Sequence, residues 1–183
     1  PDEFFNPHPE YFSLVAGQRR RDVAQLCLTH PDVLRIVTQR VLELMRTHPQ
    51  ATIFSVSQND CAGYCECESC RALAEAEESQ SGPILRFVNA VAAETVKIYP
   101  DKLIDTLAYQ YSLDAPRTVV PHPNVRVRLC SINCCQGHAY STCDHSESRR
   151  FLRALDEWVK RTSQLYIWHY ATDFTHYPLP MPD

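Results

Sequence analysis

The segment ATIFSV (residues 51–56) runs directly into SQND (residues 57–60), and this pair of segments indicates the fold class. Six mostly apolar residues after the break at Pro49 predict a buried β-strand. Four residues with polar side chains then follow the carboxyl end of that strand without interruption. Polar side chains at this end of a strand are typical of α/β proteins whose active sites are built there.

Strands and helices alternate on both sides of this stretch. Short apolar runs predict further strands at residues 25–28, 103–109, 125–129 and 165–168. Apolar residues at helical spacing predict helices over residues 31–48, over 71–78, from 81 to the stop at 99–100, and from a capping-box pattern at 144–147 to 159. Residues 1–24 are expected to be loop, and residues 112–124 an irregular connection.

This alternation predicts a parallel sheet with helical crossovers, for which a doubly wound sheet and a barrel both fit. The chain has only four glycines, and no Gly-rich turn follows a strand, which argues against a nucleotide-binding Rossmann fold. Polar residues collect just past the strand ends, which favours a barrel. They are Gln58, Asn59 and Asp60; Tyr109, Gln110 and Tyr111; Asn133 and His138; and His169, Tyr170 and Asp173. We therefore predict an α/β fold in which residues 1–183 form a single, partial (β/α)8 TIM-barrel domain.

Composition and charge exclude two classes of partner. With 44% hydrophobic residues, 22% charged residues and a net charge of -4, the chain resembles an ordinary globular domain. The basic cluster at residues 19–21 is better explained as a solvated turn than as a nucleic-acid site. No apolar run approaches the ~18 residues of a membrane span. We expect neither nucleic acid nor membrane as a partner, and the abrupt ends at Pro1 and Asp183 predict a piece of a longer protein.

Asp60, supported by Asn59, is the best catalytic candidate. A carboxylate at a strand end can act as a general acid or orient one, and the amides of Gln58 and Asn59 can bond sugar hydroxyls. Glycoside hydrolysis needs two acidic groups, or one acid together with a substrate acetamide. The alternative is that Asp60 only caps the following loop through the backbone.

Aromatic side chains are dense near the predicted strand ends, where they can stack on the apolar faces of sugars. They are Tyr109, Tyr111, Trp168, Tyr170, Phe174 and Tyr177. Packing at a barrel rim explains any single ring equally well. The candidate substrate-binding residues are Gln58, Tyr109, Tyr111, Asn133, His138, Trp168 and His169.

The chain has nine cysteines, an odd number, so they cannot all pair with one another. The run Cys61-x3-Cys65-x-Cys67-x2-Cys70 has spacing that fits a thiolate metal site. Remote ligands are available at His138, Cys143 and His145. Structural zinc at the four clustered cysteines is one hypothesis, and a disulfide, buried thiols or a catalytic cysteine are the alternatives. The sequence calls for no other cofactor.

Several motifs together resemble one known family. They are HPEYF (8–12), LCLT (26–29), FSVSQND (54–60), CECESC (65–70), SGP (81–83) with RFVN (86–89), DTLAY (105–109) and RLCS (128–131). The family was long catalogued as a domain of unknown function, number 4838, and is similar to glycoside hydrolase family 163, whose activity is endo-β-N-acetylglucosaminidase on complex N-glycans. The resemblance implies a (β/α)8 barrel covered only in part by this chain, with a glycan substrate and the rest of the barrel as partners. It fits a periplasmic or secreted protein, while the cysteines leave a cytoplasmic location open.

Two positions depart from the pattern of that family. An acidic residue is usual where this chain has Asn133, and another is usual after the tryptophan of the last strand, where it has His169. The leading hypothesis is a retaining glycosidase acting on β-linked N-acetylglucosamine. Its activity would be weakened, or its specificity altered, if the residue at either position is catalytic in relatives. The rival hypotheses are a non-catalytic carbohydrate-binding barrel and a metal-dependent hydrolase that uses the cysteine cluster.

Overall fold

The computed structural model describes residues 2–135 and 137–170. The helices are α1 (Asp2–Phe5), α2 (Pro31–Thr47), α3 (Glu68–Ala76), α4 (Ser81–Thr95) and α5 (Ser146–Val159). The strands are β1 (Leu14–Val15), β2 (Gln18–Arg19), β3 (Ile53–Ser55), β4 (Leu103–Ala108), β5 (Val125–Cys130) and β6 (Leu165–Trp168). There are also two 3-10 helices. Pro9–Tyr11 lies between α1 and β1, and Gln110–Ser112 follows β4.

Strands β3 to β6 form one parallel sheet whose spatial order is the same as their order along the chain. In the register, Ser55 pairs with Asp105, Asp105 with Arg126, and Arg128 with Tyr166. Helices α3 and α4 connect β3 to β4, α5 connects β5 to β6, and the β4–β5 connection is irregular. The predicted mixed α/β fold with a parallel sheet is confirmed.

The two faces of this sheet have different surroundings. Helices α2, α4 and α5 share one hydrophobic core with the first face. That face contributes Phe54, Ile104, Ala108, Val125, Val127 and Leu129. The second face, which we call the open face, carries Asp105, Arg126, Arg128, Tyr166 and Trp168. None of these five belongs to the core. The open face also carries the aliphatic residues Ile53, Leu103 and Leu107, so it combines charged, aromatic and aliphatic side chains.

Two regions differ from the sequence prediction. Residues 25–28 do not form a strand; Leu26 makes an isolated antiparallel bridge with Phe12. Residues 1–24 are not simply loop, because they contain α1 and an antiparallel β1–β2 hairpin. Its two turn residues, Ala16 and Gly17, both have positive φ (50° and 77°), the backbone shape that joins tightly paired strands.

The four predicted helices are all present, but their bounds differ in two cases: α3 begins three residues before the predicted 71–78 range, and α4 ends at Thr95 instead of at the predicted stop at 99–100. Helix α2 begins at Pro31, where the ring nitrogen of His30 accepts from the backbone N–H of Asp32 at 3.2 Å. The capping box predicted at residues 144–147 is wrong, because His145 precedes α5 without a side-chain cap bond. Among the described residues, no helix has both the length and the apolar character needed to cross a membrane.

Gly82 gives a test of the packing between α3 and α4. A Cβ at this position would lie 2.5 Å from the Cβ of Glu77. Glu77 cannot easily move, because its carboxylate accepts from the hydroxyl of Thr118 at 2.6 Å and from the Thr118 N–H at 2.7 Å. We expect Gly82→Ala to lower the free energy of unfolding by about 2 kcal/mol, measured by urea denaturation. Gly137→Ala is the control, since its nearest neighbour is Cys135 Sγ at 4.0 Å; equal losses would contradict this reason.

Candidate functional site

The carboxyl ends of the four parallel strands bring four polar side chains together. Asp60 follows β3, Tyr109 follows β4, Cys130 ends β5 and Tyr170 follows β6. The hydroxyl of Tyr109 donates to Asp60 Oδ1 at 2.9 Å. Burial raises the pKa of Tyr170, and its interactions with Cys130, Tyr109 and Asp60 raise it further. We call these four residues the strand-end cluster.

A line of hydrogen bonds orients the acid of this cluster. Gln110 Nε2 donates to the hydroxyl oxygen of Tyr109 at 2.9 Å, which leaves the phenol proton for Asp60. Burial and the contact with Asp60 raise the pKa of Tyr109 to about 12, so its phenol is a stable donor at neutral pH. Gln110 has a φ of 52°, a left-handed conformation that costs a non-glycine residue about 1 kcal/mol or more and concentrates at functional sites.

The two amides beside Asp60 hold the strand end in place. Gln58 Nε2 donates to the backbone oxygen of Tyr109 at 3.3 Å, and its Oε1 accepts from the hydroxyl of Ser112 at 2.5 Å. Asn59 Nδ2 donates to the backbone oxygen of Ala24 at 2.6 Å. Each of these NH2 groups, expected to bond sugar hydroxyls, thus donates one hydrogen bond within the protein and has a second N–H. Their visible role is to fix the segment that carries Asp60.

Two of the predicted aromatic residues, Trp168 and Tyr111, lie in different places. Trp168 is on the open face, 44% exposed, with the guanidinium of Arg128 at 4.6 Å from its ring centre. Tyr111 packs against Tyr64 with ring centres 5.2 Å apart. It also lines a cavity of about 450 Å³ whose other walls include residues of α2 and α4. Trp168 therefore offers an accessible ring near the strand ends, whereas Tyr111 faces the helix side.

The remaining predicted positions are at the surface. Asn133, His138 and His169 are all exposed. The Nδ1 atom of His138 lies 3.2 Å from the sulfur of Cys135, within hydrogen-bond distance. Asp173, Phe174 and Tyr177 lie outside the described residues.

Sequence reasoning missed a charged network on the open face. The side chain of Asp105 is completely buried, and its Oδ2 accepts from the hydroxyl of Tyr166 at 2.5 Å and from Arg128 at 2.8 Å. Arg126 approaches the same oxygen at 3.5 Å. Arg128 also donates to the Tyr166 hydroxyl. The available signal was the alternation of arginines in β5, because two guanidinium groups that are partly buried on one face of a strand favour an acidic neighbour.

Four thiols gather at a second place, which we call the tetrathiol cluster: Cys27, Cys65, Cys67 and Cys70. Their sulfur atoms all lie within 4.8 Å of one another, and no disulfide joins them. Hydrogen bonds from Cys65 and Cys70 lower the pKa of Cys27, and the same shared contacts raise the pKa of Cys70. The structure brings together three of the four predicted cysteines and adds Cys27. It places Cys61 outside, where its sulfur accepts from Gln25 at 3.3 Å. This donor set can hold a metal ion.

A smaller group of similar chemistry precedes α5. The ligand atoms of Cys135, His138 and Cys143 also lie within 4.8 Å of one another. A hydrogen bond from the backbone of His145 lowers the pKa of Cys143. His138 and Cys143, predicted as remote ligands for the cysteine run, thus meet Cys135 instead.

Comparison with protein-family models gives a match over the whole chain. The sequence model of a family described as "Domain of unknown function (DUF4838)" matches residues 1–183. No curated protein matches the chain. The matched range includes both the strand-end cluster and the tetrathiol cluster.

Proposed function

The chain belongs to the family described as Domain of unknown function (DUF4838), and within it we propose that this chain is part of a (β/α)8-barrel glycoside hydrolase. The observation that carries the proposal is the strand-end cluster, in which four consecutive parallel strands deliver Asp60, Tyr109, Cys130 and Tyr170 to one edge. In barrels, this edge forms the active-site face.

Strand order and the two faces of the sheet support a barrel. A doubly wound sheet reverses its strand order at a switch point and carries helices on both faces. Here the order β3-β4-β5-β6 has no reversal, and the helical core forms against a single face. Parallel sheets are normally covered on both faces. In our proposal the open face turns inward and is covered by further strands of the full-length protein.

Asp60 is the residue we propose for acid chemistry. Its position, with Tyr109 donating to one oxygen, suits a general acid or a group that orients a substrate acetamide. The exposed ring of Trp168 suits a stacking platform for a sugar. The substrate class, glycans with β-linked N-acetylglucosamine, rests on the resemblance to glycoside hydrolase family 163.

A second candidate, a carbohydrate-binding barrel without catalysis, is favoured by one feature. Within the described residues, the strand-end cluster contains a single carboxylate, that of Asp60. Asn133 and His169 stand where acidic residues are usual in the resembling family. A site of this kind would bind a glycan through aromatic and polar contacts without hydrolysing it.

Substrate turnover by the full-length protein separates these two candidates. We expect it to release an oligosaccharide from a complex N-glycoprotein, detected by mass spectrometry of the products. A glycan that binds in calorimetry but stays intact over prolonged incubation would support the binding barrel instead. If the protein neither binds nor cleaves glycans that contain N-acetylglucosamine, both candidates are contradicted.

In this proposal, a metal ion has a structural role. Four thiolates would fill all positions of a tetrahedral zinc ion, whereas catalytic zinc keeps one position open for water or substrate. The tetrathiol cluster therefore favours structural zinc and gives no support to the metal-dependent hydrolase hypothesis. Removal of the ion by a chelator is therefore expected to lower the stability of the fold, and to affect turnover only through that loss of stability.

A further inference from the structure

We infer that Cys27 completes a tetrathiolate zinc site with Cys65, Cys67 and Cys70, and that the bound ion positions the segment that carries Asp60. The inference needs no glycosidase activity, because it concerns the binding of an ion and the order of a segment. Its first part rests on the arrangement of the sulfur atoms, and its second on the contacts of Gln25.

Two separations between sulfur atoms match the edge of a tetrahedron around zinc, and all four sulfurs lie within 4.8 Å of one another. The Sγ of Cys27 lies 3.7 Å from that of Cys67 and 4.0 Å from that of Cys70. A Zn–S bond of about 2.3 Å gives a tetrahedron with an edge of about 3.8 Å. A disulfide would need these atoms at about 2.05 Å, close to half the observed separations. The arrangement therefore fits ion binding by all four sulfurs better than oxidation of two.

The groups around the cluster suit the two negative charges left by four thiolates and one Zn²⁺. The backbone N–H of Leu14 donates to Cys65 Sγ at 3.4 Å, and Arg19 Nη1 lies 3.9 Å from the same sulfur. The hydroxyl of Thr29 lies 3.2 Å from Cys70 Sγ. Donors of this kind orient thiolate ligands and reduce their charge. They come from the hairpin and from the residues before α2, so the ion would join these two parts of the chain to the 65–70 segment.

Arg19 is held in position independently of the sulfur. Its Nη1 also donates to the backbone oxygen of Phe12 at 2.6 Å and to that of Glu10 at 3.2 Å. Cys67 lies at the first position before α3, so the partial positive charge of a helix start is next to its sulfur. Both features are already in place before an ion binds, which reduces the cost of assembling the site.

Gln25 links the cluster to Asp60. It lies two residues before Cys27, and its Oε1 accepts from the backbone N–H of Asn59 at 2.8 Å. Its Nε2 donates to the backbone oxygens of Asn59 at 2.9 Å and Cys61 at 2.7 Å. One side chain thus clamps the residues on both sides of Asp60. An ion that fixes Cys27 would also fix Gln25, and with it the backbone that presents the carboxylate.

Metal analysis of the full-length protein, purified with a reducing agent, tests the site. We expect one zinc ion per chain by elemental mass spectrometry, and loss of most of it in Cys27→Ser. Cys61→Ser is the matched control, because this cysteine is in the same loop but outside the cluster, and it should retain the metal. Full zinc in the Cys27→Ser variant would overturn the assignment, as would iron in place of zinc or a disulfide in the tetrathiol cluster.

A measurement on the unsubstituted protein covers the case in which Cys27→Ser does not fold. Cobalt exchanged for zinc should give the strong sulfur-to-metal absorption of a tetrathiolate site. A cobalt spectrum without thiolate bands would overturn the proposal. The group before α5 could hold a second ion. If Cys143→Ser also loses one ion per chain, that ion is assigned to this group, and the zinc lost in Cys27→Ser is then counted from the other ion alone.

Hydrogen exchange tests the positioning role without any substrate. The N–H of Asn59 donates to Gln25 and that of Cys61 to the backbone oxygen of Asn59. After removal of the ion by a chelator, these two amides should exchange about tenfold faster, the factor expected from losing one or two hydrogen bonds. Amides of α4 should keep their exchange rates. Unchanged exchange at 59–61 with proven loss of zinc would overturn the positioning role, while general acceleration that includes α4 would show global unfolding and overturn it too.

Discussion

Replacing Asp60 by asparagine in the full-length protein is expected to lower kcat/KM on a complex N-glycan by about 10²- to 10⁴-fold, the range for loss of a general acid or base. The substitution keeps the shape of the side chain and an oxygen that can accept from Tyr109. It removes only the ability to exchange a proton or to carry charge. Asp60 is exposed, so the folded state should be nearly unaffected.

The control for this variant is Asp156→Asn. Asp156 is an exposed carboxylate on α5, and its loss should leave both turnover and stability unchanged. Turnover by Asp60→Asn equal to that of the unsubstituted protein would remove Asp60 from the mechanism. A large loss of turnover together with a lowered unfolding midpoint would show that Asp60 acts through the fold rather than through chemistry.

Apolar runs predicted the sheet well, for a physical reason. Strands β4, β5 and β6 were found within one residue at each end, because parallel strands covered by helices need aliphatic side chains on that face. The run at residues 25–28 has similar composition but no partner strand. Instead, Gln25 bonds to the backbone of residues 59–61, and Cys27 lies with the other thiols. A pattern of apolar residues along the sequence cannot predict either contact.

The candidate site was predictable in part. Asp60 and Tyr109 were identified because polar side chains just after strands meet at one edge of a parallel sheet. Cys27 was not identified as a ligand, since it lies 38 residues before Cys65 and only the hairpin and the turn before α2 bring it to the cluster. Asp105 was missed because a single carboxylate within an apolar strand has no local signature; its partners lie on the next two strands.

Asp105 gives the largest effect on stability that we expect from a single substitution. The carboxylate is 0% exposed and is the acceptor for Arg128, Arg126 and Tyr166. Removing one partner of a buried ion pair leaves the other charge without compensation, which costs about 3–5 kcal/mol. Arg128 remains 19% exposed, so some of its charge would still be solvated. For Asp105→Ala we therefore expect the lower end of this range, about 3 kcal/mol, measured as a shift of the denaturant midpoint.

Two comparisons identify the cause of this loss. Glu43→Ala breaks an ion pair on α2 whose partners are 72% and 51% exposed, and it should cost less than about 1 kcal/mol. Asp105→Asn keeps the volume and an acceptor but removes the charge, and its loss should lie between those of the two alanine variants. Similar losses for Asp105→Ala and Glu43→Ala would contradict the buried network. If Asp105→Asn loses as much stability as Asp105→Ala, the two arginines depend on the negative charge of Asp105 and not on its packing. The carboxylate of Asp105 is then what compensates the two guanidinium groups of the open face.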